Sequence, residues 1–211
     1  MSLIIIGGHS RNVGKTSVVA GIISALPEFK WLAMKITQYG HGVCSGNGQS
    51  CDCATASHTW AVTEERDRSG KSDTSRFLAA GAARVWWART QQGHLGEALP
   101  AIRRLLAGSR NTILESNSIL KFLRPDLYIT VLDPATSDFK RSAQEFLDRA
   151  HAVLVHKNEG APAWEGVSLK PVVGRPVFYI APPRYVTQEL VEFVRNALGG
   201  NHPSGVEGSD T

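Results

Sequence analysis

The chain opens on an apolar run, Leu3-Ile4-Ile5-Ile6. It passes through Gly7-Gly8-His9-Ser10-Arg11-Asn12-Val13-Gly14-Lys15-Thr16-Ser17 and becomes apolar again over Val18-Val19-Ala20-Gly21-Ile22-Ile23. That order is strand, glycine-rich turn, helix, and no other stretch restricts the fold as much. Such a turn aims successive backbone N–H groups at one point, and the positive end of the following helix dipole adds to them, so the implied ligand is an anion. Asn12, Val13, Gly14, Lys15, Thr16 and Ser17 are the expected phosphate contacts. Lys15 would reach the outer phosphates and the Thr16 hydroxyl would take one position on Mg2+. The usual spacing is G-x4-G-K-[ST]; here His9 stands where glycine is expected, and Gly8 gives G-x5-G-K-T.

Further short apolar runs alternate with helical patterns. Strands are predicted at Leu3 to Ile6, Trp31 to Ile36, Arg84 to Trp87, Thr112 to Glu115, Leu127 to Leu132, Ala152 to Val155 and Val177 to Ile180. Helices are predicted at about 15 to 25, 73 to 82, 95 to 107, 138 to 150 and 187 to 198. Continuously apolar strands suit a sheet covered on both faces. The class is therefore α/β, a doubly wound, mostly parallel seven-stranded sheet. One domain is expected over 1–198. The Gly-, Ser-, Thr- and Cys-rich stretch of about 38–72 interrupts it as a long loop, and the composition of 199–211 predicts a disordered polar tail.

Composition narrows the class further. The 211 residues are 42% hydrophobic and 20% charged, ordinary for one soluble domain. The net charge of +4 is spread out, with only Arg103-Arg104 and Lys140-Arg141 adjacent, so no nucleic-acid footprint is present. The apolar start is too short for a signal peptide or a membrane span, which makes a cytoplasmic protein with no membrane partner the expectation.

In a doubly wound sheet ligands gather beyond the carboxyl ends of the strands, so residues just after each strand are functional candidates. Glu115 ends one such strand, where a carboxylate can hold Mg2+ or orient a nucleophile. Asp73, in Gly70-Lys71-Ser72-Asp73-Thr74-Ser75-Arg76, reads equally as a helix cap and as a second magnesium or substrate contact. Lys15, Glu115 and Asp73 form the candidate catalytic set. His156-Lys157-Asn158-Glu159 stands where guanine-binding proteins carry Asn-Lys-x-Asp, which makes Glu159 a candidate base reader and leaves ATP and GTP both open.

All three cysteines, Cys44, Cys51 and Cys53, lie within ten residues and are flanked by His41 and His58. So tight a group suits zinc or an iron–sulfur cluster, with free cysteines packed in a loop as the plain alternative. The candidate metal ligands are thus Thr16 and Glu115 for magnesium and the three cysteines for the soft metal. The adjacent Trp86 and Trp87 are expected in the core, inside a strand buried on both faces.

With these residues in view the chain resembles the SIMIBI class of P-loop NTPases. The loop Gly8-x5-Gly14-Lys15-Thr16 is similar to that of the dethiobiotin synthetases. The block Asp67-Arg68-Ser69-Gly70-Lys71-Ser72-Asp73 with Ala80-Gly81-Ala82 is similar to the MobB-type adaptors of molybdopterin-guanine dinucleotide biosynthesis, where it follows a strand ending in lysine, here Lys35. The deviant branch of the class is not indicated, since its signature lysine would fall at Ser10. The block departs from the adaptor pattern by one residue between Lys71 and Asp73, and the cysteine loop belongs to neither pattern. The resemblance implies an NTPase that binds ATP or GTP with Mg2+ and pairs as a homodimer. An adaptor-like member would hand a cofactor or metal to a cofactor-biosynthesis or metalloenzyme partner, the nucleotide state controlling the cysteine loop. A synthetase-like member would be an ATP-dependent ligase or kinase with Lys35 and Glu115 as contacts.

Overall fold

The computed structural model describes residues 1–39, 59–158 and 160–199. Cys44, Cys51, Cys53, His41, His58, Glu159 and the tail from residue 200 onward lie outside the described residues.

Eight strands form one sheet in the order β3-β4-β2-β5-β1-β6-β7-β8. They are β1 (Ser2–Gly8), β2 (Leu32–Tyr39), β3 (Trp60–Glu64), β4 (Arg84–Gln91), β5 (Asn111–Glu115), β6 (Leu127–Leu132), β7 (Ala152–His156) and β8 (Val177–Ile180). All pairings are parallel except β3 with β4. The helices are α1 (Lys15–Ala25), α2 (Asp73–Ala79), α3 (Leu95–Ala107), α4 (Arg141–Glu145) and α5 (Gln188–Gly199). Alternation along the strands feeds two cores. Ile4 and Ile6 join Val18, Ile22, Phe77 and Leu190 from α1, α2 and α5, whereas Leu3 and Ile5 join Leu95, Ile102 and Leu106 from α3. A strand that serves both layers has no polar face, and this is why β1 reads as an unbroken apolar run. No helix among the described residues is long and apolar enough to cross a membrane.

The sheet departs from expectation at its rim. The eighth strand, β3, lies inside the stretch read as loop. Trp-Ala-Val-Thr-Glu is half exposed and pairs with one neighbour only, so it carries no doubly buried run to betray it. Strands β2 and β4 also run on to Tyr39 and Gln91, because the ladder continues after the apolar stretch ends. Trp86 and Trp87 are partly buried: Trp86 packs against the second core, whereas Trp87 Nε1 donates to Thr37 Oγ1 at 3.1 Å and the Arg89 guanidinium lies 4.3 Å from the Trp87 ring centre.

Two helices are shorter than predicted. The pattern over 138–150 yields α4 and a separate 3-10 turn at Leu147–Arg149, since residues 138–140 are committed to the glycine-rich loop instead. Helix α2 stops at Ala79, where Gly81 at φ 103° sends its N–H to Leu78 O and Ala82 sends its own to Phe77 O, the paired bonds of a Schellman close. Its other end is capped by Ser72, not by Asp73 or Thr74. Ser72 Oγ accepts from Ser75 N at 3.1 Å and Ser75 Oγ accepts from Ser72 N at 2.8 Å. The Asp73 carboxylate is thereby released from capping.

Phe77 is fully buried and anchors α2, hence Asp73, on the first core. Phe77→Ala should cost about 3–5 kcal/mol in urea unfolding. A loss below about 1 kcal/mol would mean that α2 is not held by this contact.

Candidate functional site

Strand β1 ends against two neighbours that shape the glycine-rich loop. The side-chain amide of Asn117, just past β5, accepts from Gly8 N at 3.0 Å and donates to Gly8 O at 2.8 Å, acting as one more rung of ladder. A Cβ on Gly7 would stand 2.2 Å from Asn117 Oδ1 and 2.8 Å from the Tyr128 ring, so this approach requires glycine. His9 N still reaches Val131 O of β6 at 3.1 Å. Past it, Asn12 at φ 58° and Gly14 at φ 87° are both left-handed and curl the chain around Val13 into helix α1. Helix α1 has neither a side-chain cap nor an acidic residue in its first turn, so its leading N–H groups are left for a ligand.

His9, in the place of the usual glycine, fastens the loop. It is fully buried; its Nε2 accepts from Asp133 N at 3.0 Å, which leaves Nδ1 to donate to Asp138 O at 2.9 Å. Phe139 and Trp164 pack on the ring at centroid distances of 5.0 and 5.1 Å. Ser10 Oγ donates to Asp138 Oδ2 at 2.6 Å and Lys140 N to His9 O at 2.8 Å, so residues 133–140 form a second wall of the loop.

The sequence-predicted residues from α1, β2, β5 and α2 converge at the helix start. The register sets Lys35 of β2 and Ile6 of β1 on either side of Glu115 of β5. Glu115 Oε2 accepts from Thr16 Oγ1 at 2.8 Å, and Glu115 Oε1 accepts from Lys35 Nζ at 2.7 Å. Lys35 Nζ also donates to Asp73 Oδ2 at 2.6 Å and to Thr16 Oγ1 at 3.3 Å. Burial works against the Lys35 charge, but Glu115 and Asp73 outweigh it and raise its pKa. Lys15 differs: it bends back onto the Ser10 carbonyl, and burial, only partly offset by Glu115, brings its pKa down to about 8. A hydroxyl and two carboxylates are hard oxygen donors of the kind that Mg2+ takes together with water and phosphate.

On the other flank His156, at the end of β7, donates from Nε2 to Val13 O at 3.0 Å. It thus holds the loop from the first position of the His156-Lys157-Asn158 stretch. The Tyr185 ring, from the β8–α5 connection, covers Gly14 so closely that a Cβ there would stand 2.2 Å from it. Beside Tyr185 a cleft of about 450 Å3 opens, lined by Ser17, Gly21, Arg76, Pro183, Arg184 and Val186. Arg76 Nη2 donates to Ser17 Oγ at 2.9 Å. A second cleft of about 690 Å3 lies by Pro134, His156, Lys157, Asn158 and Tyr179. Asn117, Arg76 and Tyr185 stand in no sequence motif, and the role of His156 is to hold the loop backbone. Among the described residues no group of three His, Cys, Asp or Glu gathers as a metal site.

No family model and no curated protein matches the chain. Among solved structures it is similar to LpxK from Aquifex aeolicus in complex with ATP, at 16% identity and TM-score 0.47 over 85% of this chain and 53% of that one. It is also similar to HypB from Helicobacter pylori in complex with nickel, at 14% identity and TM-score 0.47 over 95% and 89%. A third is the Signal Recognition Particle 54 kDa protein from Aeropyrum pernix in complex with GDP, at 15% identity and TM-score 0.44 over 94% and 46%. The chain thus spans about half the length of the first and third. At this level of similarity the role of each residue rests on its own geometry.

Burial, the leading cause, holds the His9 pKa below its ordinary 6.5. The folded state therefore favours the neutral ring, and a proton on Nε2 would face the Asp133 N–H. Stability should hold above pH 6.5 and fall as pH drops below it, because the unfolded chain takes up that proton first. Urea unfolding from about pH 7.5 to about pH 5 checks this against His9→Gln, which should lose that part of the slope; parallel curves would remove His9 as its source.

Proposed function

We propose that the chain is a Mg2+-dependent nucleotide-binding protein that hydrolyses ATP or GTP. The observation that carries this is the meeting of Thr16, Lys35, Asp73 and Glu115 at the uncapped start of α1, directly after the glycine-rich loop. The free N–H groups of the loop and helix would hold the phosphates. Lys15 would leave the Ser10 carbonyl for the outer phosphate, exchanging a neutral acceptor for an anion. Thr16 and Glu115, with Asp73 beside them, would hold Mg2+, which when bound neutralises developing charge on the phosphate oxygens. Lys35 would face the terminal phosphate, and Asn117, His9 and His156 would keep the loop in shape. The nucleoside would follow Ser17 into the cleft beside Tyr185.

We further propose an adaptor-like role, in which nucleotide state is coupled to a metal-binding cysteine segment and to a partner enzyme in cofactor or metal handling. Its support lies in where that segment is rooted. It leaves β2 at Tyr39, four residues beyond Lys35, and rejoins at β3, which leads through a short turn into α2 and Asp73. The position of Lys35 between two carboxylates favours a second reading, an ATP-dependent ligase or kinase in which this lysine also steadies an anionic substrate. Release of nucleoside diphosphate that appears only with an added amine, acid or hydroxyl compound selects that second reading.

Lys15→Ala should weaken ATP and GTP binding by about 10–100-fold, the loss of one charge-assisted contact. Glu115→Gln should keep the nucleotide and abolish Mg2+-dependent phosphate release. Calorimetry and a phosphate-release assay measure the two effects. Wild-type affinity in the first variant or wild-type turnover in the second defeats the assignment.

A further inference from the structure

The oxygens suited to a divalent cation already share one cation, and the chain supplies it. Lys35 Nζ lies 2.6 Å from Asp73 Oδ2, 2.7 Å from Glu115 Oε1 and 3.3 Å from Thr16 Oγ1. The second Glu115 oxygen is taken by the Thr16 hydroxyl. The lysine backbone is fixed, because β2 and β5 hold Lys35 in register beside Glu115. The Lys35 side chain is 18% exposed and that of Glu115 6%, so both charges have lost most of their water and each compensates the other.

We propose that Lys35 is a resident counter-ion for the metal position. Its ammonium keeps the oxygens of Thr16, Asp73 and Glu115 until a nucleotide brings both a divalent cation and a new anionic partner for the lysine. This rests on the nucleotide-binding function proposed for the same site. Charge dictates the order. Lys15 and Lys35 already balance Asp73 and Glu115, with Lys140 near enough to add to the positive side. A dication arriving alone would face a site with no negative charge to spare and would compete with the ammonium for the same lone pairs. A polyphosphate reverses that balance, and Lys35 turns to it by rotating its stem while its Cα stays on β2. Metal and nucleotide are therefore positively coupled, each raising the affinity for the other by the same factor.

Mn2+ titrated into nucleotide-free protein and followed by electron paramagnetic resonance tests this. Lys35→Met should bind Mn2+ about ten-fold or more tightly than wild type, within the usual range of coupling between sites. In chelator the variant should melt below wild type. At a given Mn2+ concentration the variant's melting temperature should rise more than that of wild type, and the double variant Lys35→Met, Glu115→Gln should lose this rescue. Lys35→Gln, which keeps a hydrogen-bonding head without the charge, serves if the methionine variant does not fold. Equal Mn2+ affinity in wild type and either variant, or equal stabilisation of both by Mn2+, overturns the proposal. Failure of wild type to bind ATP or GTP would instead strike the nucleotide function, and the comparison with Mn2+ alone would still judge Lys35.

Discussion

A carboxylate buried at the tip of a parallel strand must be surrounded by cations and donors, and the region around Glu115 is arranged to provide them. Only 5% of Glu115 is exposed. Its partners come from three directions: the Thr16 hydroxyl from the first turn of α1, the Lys35 ammonium from the neighbouring strand, and the positive end of the α1 dipole. Each depends on a larger element. Lys35 is placed by the β2–β5 register, Thr16 by the left-handed turn at Gly14, and Asp73 by the docking of α2. Moving any of the three would remove a partner from this cluster of charges, and this links the sheet, the loop and α2 to one small volume.

The loop itself is rigid for a different reason. Asn117 holds Gly8, His9 reaches residues 133 and 138, His156 grips the Val13 carbonyl, and Tyr185 lies against Gly14. These contacts come from beyond the ends of β5, β6, β7 and β8, so the sheet holds the loop from both sides of β1. Backbone N–H groups fixed in this way need little reorganisation to receive an anion, and the cost of ordering them has been met in folding.

The sequence made most of this architecture legible where burial leaves a periodic trace. The strands that serve both cores, such as Leu3 to Ile6 and Leu127 to Leu132, are apolar throughout. The glycine-rich turn has a spacing that few other structures need, and Lys35 and Glu115 could be singled out because they stand at strand ends. What stayed hidden has no such trace. Strand β3 is a half-exposed edge, the segment 133–140 is tied down by one buried histidine from a distant part of the chain, and the cap at Ser72 is made by a serine pair that leaves Asp73 to Lys35. Asn117 and Arg76 act through contacts 109 and 59 residues away along the chain, which no local pattern encodes.

Helix α2 touches the site at two points. Asp73 at its first residue meets Lys35, and Arg76, one turn on, meets Ser17 of α1. The turn before it is stiffened by Glu65, whose carboxylate takes the N–H groups of Arg66 and Asp67 and the Thr74 hydroxyl while its own N–H is held by Val85 O. From β3 to Ser17 of α1 the chain is therefore tied at Glu65, Asp73 and Arg76. One edge strand and the start of one helix are joined through a single seven-residue helix, so the charge cluster at Lys35 and the rim of the sheet share a common support.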